Sequence, residues 1–225
     1  MLAQIVLFDG FDPLDALIPY EVLSAGGVLS GGMIEAELVS AEGPREVRSG
    51  FKSISLQASA ALDPTSADVI VVPGAAGTLP DGDEPAEDSI VGFLQRAASS
   101  GLTGLLAEAL DRRGVTVTTV CGGSMLLAMG GLIKGRPATT NHFGPGLQML
   151  AETGVNAIDA RLVDDGDLIT AAGVSSGLDL GLYLLERDLG PQVAHTVGQL
   201  FEHERRGTVW RAAGAKPSLL SEGAA

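Results

Sequence analysis

The sequence predicts a single α/β domain, built as a three-layer sandwich with a mostly parallel sheet and helices on both faces. Continuous apolar runs of strand length alternate with longer segments of helical period. This alternation is typical of a parallel sheet that is buried on both faces. No internal repeat or long linker divides the 225 residues, a length that suits one domain.

The elements follow in chain order. Strands are predicted at residues 2–8, 35–41, 68–73 and 115–120, with a small antiparallel excursion near 53–56 and a hairpin around 161–171. Helices are predicted at residues 13–25, 89–100, 102–113, 124–129, 178–189 and 191–205. Pro19 lies inside the first helix and favours a kink or an early end. Residues 74–88 are predicted as a loop; the domain is expected to span 1–211, followed by a flexible tail at 212–225.

Composition narrows the classes of function. The formal net charge of −14 disfavours binding to a phosphate backbone, so we expect no nucleic-acid partner. One cysteine and three histidines argue against a dedicated metal site. The apolar N-terminus stops at Asp9 without a basic lead, and no apolar run reaches the roughly 20 residues of a membrane span. We therefore predict a cytoplasmic protein with no membrane association.

The segment around Cys121 is the most informative part of the chain. A predicted strand runs into Cys121, two glycines follow, and a helix then begins. This order predicts a nucleophile elbow, in which the cysteine sits on a sharp, strained turn. The following helix is expected to favour the thiolate and lower the pKa of Cys121, and the Gly122 N–H could hold developing negative charge. The alternative is a lone cysteine that serves as a small buried hydrophobe.

A nucleophilic thiol needs a proton carrier nearby, and Asp15 is the candidate. It follows the first strand on an apolar helical stripe, although an acid there could also simply stabilise the helix dipole. His142 could reach a pocket at the strand ends, but spacing alone does not place it near Cys121. His195 and His203 are expected on solvated helix faces.

Four segments together resemble the ThiJ/PfpI superfamily, which has the class I glutamine amidotransferase-like fold. They are residues 14–23, residues 68–74, the elbow at 120–128, and the paired segments 135–140 and 172–179. The resemblance covers about residues 1–200. Within the superfamily it is greatest to the isocyanide (isonitrile) hydratase branch, because Asp15 stands where other branches carry glutamate.

This resemblance implies roles for individual residues. Cys121 matches the nucleophile and Asp15 its acidic partner, while Ala75 and Gly122 match positions whose backbone N–H groups line an anion site. Asn141 and His142 are candidate pocket residues, and Asn141 stands where a histidine commonly occurs. Gly122 departs from the hydratase pattern, which has a hydroxyl residue after the cysteine.

The implied activity is hydration of isonitriles to N-substituted formamides, a lyase reaction. The substrate would be a small molecule, no metal or organic cofactor would be needed, and the protein would be a homodimer. Two alternatives stay open. One is other thiolate chemistry of the amidase, protease or glyoxalase type. The other is a non-catalytic ligand or redox sensor, since fold alone does not fix function.

Overall fold

The computed structural model describes residues 1–79 and 86–215. Its strands are β1 (Leu2–Leu7), β2 (Glu35–Ser40), β3 (Arg45–Arg48), β4 (Ser55–Ala58), β5 (Ala60–Ala61), β6 (Val69–Val72), β7 (Thr116–Val120), β8 (Pro137–Ala138), β9 (Asn156–Ala157), β10 (Leu162–Asp164) and β11 (Leu168–Ala171). Its helices are α1 (Pro13–Leu29), α2 (Ile90–Ala98), α3 (Gly101–Asp111), α4 (Gly123–Met129), α5 (Gly146–Glu152), α6 (Ser176–Leu189) and α7 (Pro191–Leu200).

A seven-stranded sheet forms the centre of the molecule, with the order β10-β11-β7-β6-β1-β2-β5. Its neighbouring strands run parallel, except for the antiparallel pair β10–β11. Strands β3 and β4 form a separate antiparallel hairpin, as the sequence predicted near residues 53–56. The predicted fold class is therefore confirmed, and β11, β7, β6 and β1 end side by side at one edge.

Two groups of helices cover the sheet. Helices α1, α6 and α7 contact one another, and α2 contacts both α3 and α4. Glycines allow α1 and α6 to approach closely: a Cβ on Gly26 would lie 2.3 Å from Leu185 Cδ2, and one on Gly181 would lie 2.6 Å from Val22 Cγ1. Real Cβ atoms do not come that near to other heavy atoms, so this packing depends on both glycines.

The first helix corrects one of the two expectations for Pro19, the early end of the helix. Helix α1 continues to Leu29, ten residues beyond that proline. Pro19 has no N–H to bond with the carbonyl of Asp15, which would be its helical partner. Tertiary packing compensates, since α6 lies against the same turn: a Cβ on Gly177 would be 3.4 Å from Pro19 Cδ. The early end predicted from local propensity is thus overridden.

The C-terminal part of the described chain returns to the sheet. Helix α7 ends at Leu200 instead of the predicted residue 205, and Glu202 follows with a φ of 49°. Further on, Trp210 pairs with Val163 of β10. Its N–H donates to the Leu162 carbonyl and its own carbonyl accepts from the Asp164 N–H, both at 2.9 Å. The edge strand β10 is therefore covered.

Parts of two predicted segments lie outside the described residues. They are residues 80–85 of the predicted loop and residues 216–225 of the predicted tail. The domain limits given from the sequence stay a prediction. None of the described helices combines the length and the apolar character that crossing a bilayer requires.

Candidate active site

The site lies where β1, β6 and β7 end, because the segments that follow these strands converge there. The Gly74 N–H, just after β6, donates to Asp15 Oδ2 on α1 at 3.0 Å. Gly74 also touches the turn after β7, since a Cβ on it would lie 2.6 Å from the Gly122 nitrogen. Asp15 and the residue after Cys121 are thus held against one backbone segment, at the ligand-binding edge of a parallel sheet.

Cys121 occupies the turn between β7 and α4 in a strained conformation. Its φ is 55°, in the left-handed region that few non-glycine residues adopt. Its N–H is shared between the Ala171 carbonyl at 3.1 Å and the Ala172 carbonyl at 2.7 Å. Its own carbonyl accepts from Thr140 Oγ1 at 2.8 Å. These bonds hold the backbone in place, and Cys121 as a whole is 9% exposed.

The two glycines after Cys121 differ in how much space a side chain would have. A Cβ on Gly123 would lie 2.2 Å from the Val72 carbonyl oxygen, so α4 can begin against β6 only with glycine there. A Cβ on Gly122 would meet nothing closer than Leu94 Cδ1, at 3.3 Å. A small side chain at position 122 therefore needs only a slight shift of a flexible leucine.

Asp15 is a completely buried acid. Its side chain is 0% exposed, and Oδ1 has no hydrogen-bond partner among the described residues. The pKa of Asp15 is raised from 3.8 to about 8, mainly by burial and also by the charge of Asp12, while hydrogen bonding to Gly74 and Cys121 lowers it by less. At neutral pH this carboxyl group is therefore mostly protonated.

The thiol is neutral as well. Burial raises the pKa of Cys121 to about 12, and the nearby charge of Asp15 acts in the same direction, while hydrogen bonds from Asn141 and Gly122 lower it only partly. The prediction that the elbow lowers the pKa of this thiol is therefore wrong. The physical reason is that desolvation of the anion outweighs the two donors and the dipole of a two-turn helix.

Asn141 and His142 have different surroundings. Asn141 Nδ2 donates to Cys121 Sγ at 3.2 Å. The two ring nitrogens of His142 lie 2.9 Å from Thr139 Oγ1 and 3.4 Å from Asp159 Oδ1. The structure thus brings Asn141 to the sulfur, while both nitrogens of the adjacent histidine have other partners.

Two threonines that the sequence analysis gave no role hold this loop. Thr140 anchors the loop to the carbonyl of Cys121, and the Thr139 N–H donates to Thr170 Oγ1 at 2.9 Å. Both threonines are buried. Both threonines belong to the segment 135–140, which resembles the ThiJ/PfpI superfamily, and that segment was the sequence feature that could have indicated their role.

The remaining histidines lie elsewhere. His195 is exposed, as expected. His203 is not on a solvated helix face: it follows α7, and its Nε2 lies 3.2 Å from Oδ1 of the buried Asp179. This pair belongs to the packing of α6 against the C-terminal segment and not to the site.

Two neighbouring backbone N–H groups near the thiol, those of Ala75 and Gly122, have no oxygen partner among the described residues. A Cβ on Gly122 would lie 3.8 Å from the Ala75 nitrogen, so the two groups are neighbours. Neighbouring N–H donors of this kind suit a negatively charged atom, and the Gly122 N–H already interacts with the Cys121 sulfur. Within residues 1–79 and 86–215, no three His, Cys, Asp or Glu side chains converge as metal ligands.

The protein has a strained cysteine at a strand-to-helix turn, beside a buried acid at the end of a parallel sheet. These features assign it to the α/β proteins that carry a cysteine on a nucleophile elbow. The chain belongs to the DJ-1/PfpI family, whose profile matches residues 1–187. The resemblance to the ThiJ/PfpI superfamily that the motifs indicated is thereby confirmed.

Relatives span most of the chain. It is 28% identical over 205 residues to the isonitrile hydratase of Pseudomonas putida, which covers 88% of this chain and 76% of that protein. It is 26% identical over 197 residues to the Parkinson disease protein 7 homolog of Danio rerio, with 87% and 93% covered. The crystal structure of Drosophila melanogaster DJ-1beta superposes with a TM-score of 0.72 at 20% identity, covering 90% of this chain and 98% of that one. This last likeness concerns the fold alone.

Proposed function

We propose that the protein hydrates isonitriles to N-substituted formamides, with Cys121 as the nucleophile and Asp15 as the proton carrier. One observation carries the proposal: Asp15 is a buried acid beside the thiol, and its Oδ1 has no hydrogen-bond partner among the described residues. The terminal carbon of an isonitrile must gain a proton during hydration, and an acid that is protonated near neutral pH can donate it. The similarity to the hydratase of Pseudomonas putida supports the same reaction.

The first step is an addition at the terminal carbon of the isonitrile. Asp15 gives its proton to that carbon, and Cys121 Sγ uses an electron pair to form the new C–S bond. The thiol proton passes to the carboxylate, so Asp15 returns to its protonated form. The product is a thioimidate, R–N=CH–S. No resting thiolate is needed, which agrees with a thiol whose pKa is raised to about 12.

The second step consumes water. Water adds its oxygen to the thioimidate carbon and loses a proton to Asp15, while the imine nitrogen gains a proton from the same group. The tetrahedral carbon then forms the carbonyl bond, the C–S bond breaks, and the hydroxyl proton is transferred to sulfur. One isonitrile and one water yield one formamide, and both Cys121 and Asp15 are regenerated.

The backbone donors stabilise charge during these steps. In this proposal the N–H groups of Ala75 and Gly122 receive an anionic atom, and the lowering of the Cys121 pKa by the Gly122 N–H supports that role. Such donors are effective because they need no reorientation when charge develops. The proposal takes a small molecule as substrate and uses neither metal nor organic cofactor. The homodimer and the cytoplasmic location stay predictions.

Formamide release from a panel of alkyl and aryl isonitriles tests the proposal. The purified wild type is compared with Cys121→Ser, with Asp15→Asn and with Asp111→Asn, a matched change of an exposed acid at the end of α3. We expect turnover in the wild type and in Asp111→Asn, and at least a hundredfold loss in the other two. A wild type that binds isonitriles but releases no formamide would refute the proposal. Turnover of aldehydes or amides instead would then indicate other thiol chemistry.

A further inference from the structure

The loop that carries Asn141 is fixed before it reaches the sulfur. Thr139 and Thr140 are buried and are hydrogen-bonded to β11 and to the elbow, respectively. The backbone leading to Asn141 therefore has little freedom. A side chain at this position is held within reach of Cys121 Sγ by contacts that do not involve the reaction.

The orientation of the Asn141 amide is fixed as well. Its Oδ1 accepts a hydrogen bond of 2.7 Å from the Phe143 N–H. A backbone N–H can pair only with the amide oxygen, so the NH₂ group must be the end that faces Sγ at 3.2 Å. The amide also lies near the backbone after β11, since a Cβ on Gly173 would be 3.6 Å from Nδ2.

An amide NH₂ donates hydrogen bonds but does not accept a proton under ordinary conditions. It can therefore stabilise negative charge on sulfur without competing for the thiol proton. The neighbouring base, His142, has both ring nitrogens paired with Thr139 and Asp159. The acids whose charge bears on the thiol are Asp15 and Asp12, and of these Asp15 is the one with an unpartnered buried oxygen.

We infer that Asn141 is a catalytic residue that holds Cys121 Sγ with a non-basic donor, so that Asp15 gives its proton to the substrate carbon and the thiol proton then restores the protonated Asp15. The inference rests on the proposed function and adds a third side chain to it. It also explains why a non-basic residue such as asparagine suits this position. A basic side chain in its place would take the thiol proton and leave a thiolate paired with its own cation. The site would then resemble a cysteine–histidine pair, which suits hydrolysis better than proton delivery to carbon.

Two variants test this inference, with two measurements each. Asn141→Ala removes the donor, Asn141→His replaces it with a base, and Asn156→Ala serves as the control because Asn156 is exposed on β9. The measurements are the rate at which iodoacetamide alkylates Cys121 between pH 6 and 10, and formamide release from an isonitrile. Thermal unfolding is recorded for every variant to show that it is folded.

We expect Asn141→Ala to slow both alkylation and turnover by roughly tenfold, since a donor to a developing anion is lost. Asn141→His should alkylate at least tenfold faster than the wild type at pH 7 and still lose turnover. Asn156→Ala should match the wild type. Unchanged alkylation in Asn141→Ala, or no acceleration at pH 7 in Asn141→His, would overturn the inference. The alkylation rates decide this even if the wild type shows no isonitrile turnover, so the two proposals can fail separately.

Discussion

The burial of Asp15 predicts how the free energy of unfolding depends on pH. Because the pKa of Asp15 is raised from 3.8 to about 8 in the folded protein, the folded state retains a proton that the unfolded chain releases above about pH 4. The contribution of Asp15 to the free energy of unfolding therefore falls as pH rises between about 4 and about 8, by about 1.4 kcal/mol for each pH unit. Over the interval from 3.8 to pH 7 the cost reaches about 4 kcal/mol.

Asp15→Asn should remove this cost. The asparagine can still accept the hydrogen bond from the Gly74 N–H, and it carries no charge to desolvate. We expect the variant to be more stable than the wild type, by a margin in unfolding free energy that grows by about 1.4 kcal/mol per unit from pH 5 to pH 7. Other titrating groups cancel in this difference.

Urea unfolding at pH 5, 6 and 7 measures the margin directly. Asp111→Asn provides the control, because Asp111 is exposed and its margin should not change with pH. A constant margin for Asp15→Asn across these three pH values would refute the reasoning. It would mean that Asp15 is ionised in the folded protein, which would also remove the acid from the proposed mechanism.

Three further predictions concern the turn and the helix packing. Gly74→Ala should destabilise the protein by about 2 kcal/mol or more, because the added Cβ meets backbone atoms. Gly122→Ser should cost less than about 1 kcal/mol, because its Cβ meets only a flexible Leu94 methyl group. Equal losses of unfolding free energy in urea would contradict this. Alkylation of wild-type Cys121 should still be accelerating at pH 10, since its pKa is about 12, and a plateau below pH 10 would show that burial does not raise the pKa of this thiol. Gly26→Ala should cost about 1–3 kcal/mol by overpacking the contact between α1 and α6, and an unchanged melting temperature would argue against that contact.

Much of the fold was predictable because the buried strands of a parallel sheet have a distinctive local pattern. The run of four apolar residues at 69–72 became β6, and the strand, two glycines and helix around Cys121 became the elbow. Since the carboxyl ends of neighbouring parallel strands share an edge, the sequence could also suggest that Asp15 and Cys121 approach one another. Both residues do lie at that end of the sheet, with Asp15 on α1 hydrogen-bonded to Gly74 just after β6.

Other features depend on distant partners and had no local signal. The direction of the pKa shift of Cys121 follows from burial, which no spacing of residues reveals. The pairing of His203 with Asp179 joins residues 24 positions apart. Pro19 broke a local rule inside α1, and the compensating contact came from α6. In each case tertiary packing decided what the sequence neighbourhood left open.

The strand-like pairing of Trp210 with β10 affects whether another polypeptide can associate with this edge of the sheet. An uncovered outer strand presents free backbone donors and acceptors, on which a second polypeptide can add as a further strand. Here the main-chain groups of Leu162 and Asp164 that face outward are already satisfied by the chain's own C-terminal segment. The segment therefore protects the outer strand from edge-to-edge association, a role separate from the chemistry at Cys121.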